Sequence, residues 1–586
     1  MSRKAILWTI SLLVIASMVL TACATPTQQA PAPAADATAT TAPEAPAADA
    51  STLRVNLGSW PDIVDPQKSS FVNEIAHLNL VYEGLTRLDP ALATVPGAAE
   101  SWEYNEDSTV LTFKLRDGLK YSDGSPLNAK RFEYSLLRNI DPATAGEYSS
   151  ITSEIAGADE WQAVDLATAT EQQLADLKGA VGVKALDAAG NACTGYDQAD
   201  CTTLQLNLRK PAPYFHTVMS LWVTYPAKQE LIEAAGDTWW TDAANHVGNG
   251  PFIWEEVETN TRSLFVPNPN YWRAQAKVNI EYRYITDGAV YFQAYQNNEF
   301  DIVPLGAEDL ATVKADSALN AEAMIYPGSC TFNLNFHQQK EPFTDKAVRE
   351  AFSYAFDRQG WVTDVLKDLG APTQTWIPPG YPGYDEAEDR FPFDAEKAKS
   401  ILADNGYTVE NGVLTKDGTQ YPIELTFSDT PRNRTRNEWI AAKWKEVLGI
   451  DVPLNPVEST TYTALTKDVA TAPQTFILGW CADYPDPQNW LSVYWLSTSS
   501  FASRIAYENP AFDEIIAKAD VETDPATRAQ YYLDAQKELV SSIPGVFIWN
   551  NVNSYLVKPY VKGITTTPQD SGFPGAIDPT TITIEK

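Results

Sequence analysis

Histidine is scarce in this chain: four residues in 586, at His77, His216, His246 and His337, none adjacent to another. General-base chemistry near neutral pH draws on imidazole more than on any other side chain, so these are read as surface or hydrogen-bonded core residues. Signature motifs of catalysis are missing too: there is no GxxxxGKS/T, no GxSxG, no HExxH and no GxGxxG after a strand. Cysteine is rare, with five residues and no CxxC or Cys/His cluster at metal-ligand spacing, which leaves zinc or iron–sulfur centres without donors. No metal and no cofactor is implied. Positive charge is in deficit, 43 Lys and Arg against 76 Asp and Glu, for a net charge of −33. Such a field repels nucleic acid and anionic lipid surfaces, and no nucleic-acid partner is expected. The acidity itself reads as a solvated surface that maintains solubility. Interior linkers rich in Gly, Ser or Pro are lacking, as are internal repeats, so domains should pack together and exchange chain segments.

What is present bounds the architecture. The length suggests two or three domains, since single cores rarely grow beyond roughly 250 to 300 residues. With 44% hydrophobic residues, 17 Trp, 27 Tyr and 21 Phe, the chain can fill a large core and still line a binding site with aromatic surface. Arg3 and Lys4 precede the apolar run "AILWTISLLVIASMVL", which is short for a membrane span and reads as a secretory leader. It ends in "LTAC", which looks like a bacterial lipobox, with cleavage before Cys23 and acylation of that cysteine. Residues 1–22 are therefore expected to be a lipoprotein signal peptide, and 23–51 the lipidated cysteine and an Ala/Pro/Thr-rich tether. The folded body would start near Thr52 and sit outside the cytoplasmic membrane, anchored to its outer face by lipid alone.

Without Cys23, four cysteines remain: Cys193, Cys201, Cys330 and Cys481. In an oxidising compartment disulfides are the default, and three pairings are formally possible. The favoured one joins Cys193 to Cys201, stapling the polar loop "CTGYDQADC", and Cys330 to Cys481, tying distant segments.

Period-two alternation marks strands at 52–57, 109–116, 203–209, 279–285, 331–336 and 423–427. Helical patterns fall between them at 128–140, 344–358, 394–407 and 436–448, with Asp394 as N-cap and Gly406 as a stop for the third. The stretch 158–180 reads as polar surface helix and loop. This mixture predicts an α/β fold of the mixed α+β kind. The segment "GWCADYPDP", residues 479–487, concentrates two carboxylates among an aromatic residue, a cysteine and prolines. Asp483 and Asp486 could in principle flank a glycosidic bond, but with Pro485 between them they are better suited to shaping a turn.

The segments "YEGLTRLD" (82–89), the run 99–138, "NGPFIWEE" (249–256), "PNPNYW" (267–272), "PFTDKAVREAFSYAFDR" (342–358), "AEKAKSILADNGY" (395–407), "GWCADYPDP" and "NPAFDEIIAKA" (509–519) follow in order along the body. In that order they resemble the family 5 extracellular solute-binding proteins of ABC importers, and "GWCADY" is most similar to the oligopeptide-binding branch. The resemblance implies a two-lobed clamshell of the periplasmic-binding-protein type with three domains, two of them forming one lobe. Domain I would comprise 52–82, 227–329 and 552–586, domain II 83–226, and domain III 330–551, with crossovers at "TFNLNF" and around Asn550. It also implies a monomer without enzymatic activity that captures oligopeptides and delivers them to the transmembrane subunits of an ABC permease. Asp483 matches the aspartate that pairs with the ligand's α-ammonium in peptide-binding relatives. Gly479, Cys481 and Val72 would offer backbone groups, while Trp480 and Tyr148 would line side-chain pockets. The bond between Cys330 and Cys481 is one the branch leads us to expect; Cys193 and Cys201 look like an addition. Close peptide binders carry arginine where this chain has Ile477 and glutamate where it has Ser70, so the cation for a ligand carboxylate is missing from its usual place. Lys467 is the substitute candidate. An oligosaccharide or other small solute in the same fold is the alternative ligand, and a surface glycoside hydrolase built on Asp483 and Asp486 is the reading from a different class.

Overall fold

A computed structural model describes residues 51–586. The leader, Cys23 and the tether up to residue 50 lie outside the described residues. Among the described residues no helix is long and apolar enough to cross a membrane.

The main sheet contains β1 (Thr52–Asn56), β2 (Phe252–Glu258), β3 (Arg262–Pro267), β4 (Asn279–Arg283), β5 (Ile302–Pro304), β6 (Ala323–Phe336), β7 (Ala371–Pro372), β8 (Thr475–Cys481) and β9 (Gly545–Val557). Their spatial order is β8-β6-β9-β5-β1-β4-β3-β2, with β7 paired to β9. The long strands β6 and β9 run antiparallel through both halves of the molecule. Ala323–Pro327 pair with Val552–Leu556, Thr331–Asn335 pair with Gly545–Asn550, and the register shifts between Pro327 and Thr331. On one side of that break β9 pairs with β5; on the other, β6 pairs with β8.

Two large cores flank the break. One is built from residues between Leu53 and Ile302 together with Val557, Val561, Phe573 and Ile582. The other is built from residues between Leu334 and Trp549. We call these halves lobe one and lobe two. A few side chains cross over: Leu88 and Leu92 join the core of lobe two, and Tyr484 joins that of lobe one. Tyr484 lies nearly parallel to Tyr214, ring centroids 6.2 Å apart and planes 5° apart. Burying one such aromatic is worth about 1.5–3 kcal/mol, so the lobes rest against each other through more than their shared strands.

Lobe one also carries a four-stranded antiparallel sheet, Ala99–Tyr104, Val110–Leu115, Thr203–Asn207 and Val183–Leu186 in that order. The helix Ala129–Asn139 begins where the Asn128 side chain accepts from the Lys130 N–H at 3.1 Å. Cys193 and Cys201 are bonded at the margin of this region, and Cys330 is bonded to Cys481, directly opposite it across β6 and β8.

Most expected elements are present, and the differences have local causes. The stretch 344–358 forms the helix Lys346–Tyr354 and then a second one, Arg358–Asp364. Asp357 starts the second, its carboxylate accepting from the Gly360 N–H at 2.8 Å, the local competition with helix continuation typical of Asp. The pattern at 436–448 is the latter part of a longer helix, Pro431–Leu448, with Pro431 in its first turn and Thr430 accepting from the Asn433 N–H at 3.2 Å. Asp394 caps Ala395–Asp404 as expected, accepting from the Lys397 N–H at 2.9 Å.

Candidate functional site

Strand β8 is an edge strand of the main sheet, so one side of its backbone has no strand partner and can pair with an extended segment of another molecule. Gly479 lies in it. A side chain there would meet Phe332 at 2.4 Å and the Thr331 carbonyl at 2.9 Å, and Phe332 is fixed by stacking on Trp549 with centroids 4.4 Å apart. Packing beneath the strand therefore requires glycine. The strand ends at the disulfide of Cys481; the Ala482 N–H then bonds to the Ser329 carbonyl at 2.9 Å, and the chain enters a turn containing Asp483.

The helix Pro487–Trp495 follows the turn and fixes it. The Asn489 amide N–H donates to the Asp483 carboxylate at 2.9 Å, and the Asn489 carbonyl oxygen accepts from the Asp483 backbone N–H and the Trp480 indole N–H, each at 3.1 Å. One asparagine thus orients both the carboxylate and the indole. Trp480 also meets Tyr494 and Phe501 edge-on, at centroid distances of 5.6 and 4.9 Å, so it packs on lobe two while lining the space between the lobes.

That space is a cavity of about 430 Å3, within the range of small-molecule sites. Lobe two lines it with Gly479, Trp480, Cys481 and Asp483; lobe one lines it with Val72, Tyr148 and others. Six residues expected from the resemblance to contact a ligand, Asp483, Gly479, Trp480, Cys481, Val72 and Tyr148, therefore meet on one cavity. Val72 is 63% exposed and stands at the first position of the helix Val72–Val81, where a backbone N–H has no partner within the helix. The Glu74 carboxylate closes the start of that helix by accepting from the Ser70 and Phe71 N–H groups at 2.8 and 3.0 Å. Tyr148 packs edge-on against Trp222, centroids 5.1 Å apart. A second cavity, about 440 Å3, shares Tyr148, Trp480 and Asp483 with the first, which places Asp483 at their junction.

Asp483 forms no ion pair among the described residues. Its surface remains partly open to the cavity, yet burial among the surrounding protein pushes its pKa up to about 6, against the opposing hydrogen bond from Asn489. An unpaired carboxylate in such surroundings stabilises any cation brought beside it.

Asp486 is differently employed. It caps the helix by accepting from the Gln488 N–H at 2.9 Å, and both its oxygens accept from Arg528 at 2.8 Å. Asp483 and Asp486 therefore do not form a pair of free carboxylates. Lys467 is exposed at the end of the helix Ser459–Lys467 and does not line the cavity, so its candidacy as carboxylate partner is withdrawn. The polar wall contributed by Arg87, Arg273 and Asp578, like the clamp at Asn489, went unnoticed in the sequence. A signal for Arg87 was its place in "YEGLTRLD", a cation in a chain short of them.

Two lobes on paired crossover strands, a cavity between them and a backbone edge beside a carboxylate with no ion pair among the described residues define a two-lobed solute-binding protein. Residues 93–502 match the family model for bacterial extracellular solute-binding proteins, family 5 Middle. The chain is 32% identical over 530 residues to the periplasmic oligopeptide-binding protein OppA of Escherichia coli, covering 88% of this chain and 90% of that protein. Among solved structures, the periplasmic murein tripeptide binding protein MppA in its unliganded open form is similar with a TM-score of 0.74 and 25% identity, over 92% of this chain and 98% of that one. OppA of Haemophilus influenzae in complex with RPPGFSPFR is similar with a TM-score of 0.68 and 26% identity, over 91% and 99% of the two chains. The protein belongs to family 5 of the bacterial extracellular solute-binding proteins.

Proposed function

We propose that this protein is the extracytoplasmic binding component of an ABC importer, held to the membrane by lipid on Cys23, that captures oligopeptides between its lobes as a monomer and passes them to the permease. The observation that carries the proposal is Asp483: a carboxylate without an ion partner among the described residues, at the junction of the interlobe cavities, two residues beyond the edge-strand backbone that ends at Cys481. A peptide's α-ammonium meets the first of these features and its amides meet the second. The relatives named for peptide binding support the same reading.

Domain boundaries at 329/330 and 551/552 belong to this proposal, and they coincide with the register break in β6 and β9. Closure then bends the two strands there. An oligosaccharide could stack on Trp480 and Trp222, but it would leave the Asp483 carboxylate with no charge to pair. Titration calorimetry of the purified protein with free and N-acetylated peptides tests the proposal. Tight binding of the free forms and a loss of about thirtyfold or more on acetylation are expected; equal affinity for both would remove the role of Asp483.

A further inference from the structure

The cavity wall contributed by lobe one contains two arginines, and only one of them is neutralised. Arg273 donates to both oxygens of Asp578, at 2.7 and 2.8 Å. Arg87 has no ion pair among the described residues, and its Nε is buried without a hydrogen-bond partner. The backbone sets its direction. It lies in the short strand Thr86–Leu88, opposite Val95 in the neighbouring strand. Thr86 and Leu88 on either side are buried, so alternation sends Arg87 to the other face, where it joins the cavity lining.

The acids nearby are otherwise engaged. Glu83 accepts from the Tyr271 hydroxyl at 2.6 Å and from the Trp272 indole N–H at 2.5 Å. Burial pushes its carboxyl upward, towards the neutral form. Asp578 is committed to Arg273 and to the Thr580 hydroxyl, the latter at 2.6 Å. Arg87 acts on both of these acids from beyond ion-pair distance, whereas no cation acts on Asp483. The second cavity, which shares Asp483, is lined by neither arginine. Asp570, on the same cavity, accepts from the Tyr326 hydroxyl at 3.0 Å and from the Thr567 and Ile577 N–H groups at 3.1 and 3.2 Å. Among the described residues the first cavity therefore carries Asp483, without an ion pair, in one region and Arg87, without one, in another.

We infer that Arg87 anchors a carboxylate of the bound ligand, so that the cavity takes a zwitterion whose amine sits at Asp483 and whose acid group sits at the hairpin of lobe one. This rests on the peptide reading and adds the end of the ligand that the sequence left without a partner, since Ile477 replaces the arginine of close peptide binders in lobe two. A guanidinium offers a carboxylate two parallel donors, a geometry that lysine does not reproduce.

The test is calorimetry with alanine peptides from dialanine to pentaalanine, as free acids, C-terminal amides and N-acetylated acids, on the wild-type protein, Arg87→Gln and Arg87→Lys. For the wild type, amidation is expected to weaken binding of the preferred length by about tenfold to thirtyfold. In Arg87→Gln the free acid should lose a similar factor and the acid and amide should bind alike, with the penalty for N-acetylation retained; Arg87→Lys should keep part of the preference for the acid. A glutamate placed last in a peptide amide distinguishes the source of the group: recovered affinity assigns the anchor to side-chain carboxylates, and no recovery assigns it to the chain terminus. If amidation leaves wild-type affinity unchanged while N-acetylation lowers it, the Arg87 anchor is wrong and the peptide reading stands. The anchor is equally wrong if Arg87→Gln keeps the full preference for the acid. If no alanine peptide binds in any form, both fall.

Discussion

Asn489 grips Asp483 from two sides, its amide N–H on the carboxylate at 2.9 Å and its carbonyl oxygen on the backbone N–H at 3.1 Å. The side-chain bond favours the ionised form and the backbone bond fixes the turn. Asn489→Ala should raise the Asp483 pKa above about 6 and weaken amine-bearing ligands at neutral pH by up to about tenfold, with the loss shrinking as pH rises. Affinity measured from mildly acidic to mildly basic pH checks this.

Asp483→Asn should separate binding from stability. Binding of a free peptide should fall by about thirtyfold or more, the cost of leaving a desolvated charge unpaired. The empty protein should instead melt higher at pH 7. A carboxyl whose folded pKa lies above its unfolded value favours folding when protonated, so its ionisation at neutral pH is a cost that the amide removes. Scanning calorimetry and titration calorimetry on one preparation read both effects.

The same carboxyl gives binding a pH signature. An ammonium beside Asp483 stabilises its charged form, so below a pH of about 6 capture must expel a proton. Affinity should fall as pH drops through that value, approaching tenfold per pH unit, and should fall again above about pH 8 as the ligand's own amine deprotonates. Heats measured in buffers of different ionisation enthalpy would reveal the released proton; identical heats at pH 5 would contradict the assignment.

Asp486 should behave in the opposite way to Asp483. It and Arg528 are both mostly buried, with side-chain exposures of 12% and 14%, and breaking a buried pair costs about 3 kcal/mol or more. Asp486→Asn is expected to lower the denaturation midpoint clearly while changing peptide affinity little in the folded fraction. Turnover of a glycoside abolished by either substitution would instead revive the hydrolase reading.

Acid should weaken the fold through its buried histidines. His77 lies 2.7 Å from both the Asn73 carbonyl and the Tyr284 hydroxyl, and burial holds its pKa down to about 3. His246 is held down to about 4 by the same cause. Both folded values lie below the unfolded one, so their contribution is complete above a pH of about 6.5 and is lost as pH falls from there towards the folded values, at about 1.4 kcal/mol per pH unit for each. Urea unfolding across that range should show the slope, and His77→Gln should reduce it.

The legible parts of the sequence were those where one face is wet. Val110–Leu115 and Thr203–Asn207 alternate buried and more exposed positions, and such alternation is visible in the residue order itself. Strand β9 hides because its first residues, Val546, Phe547, Ile548 and Trp549, are buried on both faces, leaving an apolar run without a period. The site divides in the same way. Asp483, Gly479, Trp480 and Cys481 lie in one short motif that a family resemblance can carry. Asn489 matters only because the following helix folds back onto the turn. Arg87 stands out only once Arg273 and Asp578, 305 positions apart, are seen to satisfy each other.

The paired crossovers also decide what kind of motion is open to the molecule. Because β6 and β9 are bonded to each other on both sides of their irregularity, sliding one half past the other would break ladders in each, whereas a swivel at the break keeps them. If the lobes close on a ligand as proposed, guests of different size are held at different angles along a single arc, and the permease of the proposed importer can tell a filled molecule from an empty one without touching the cargo.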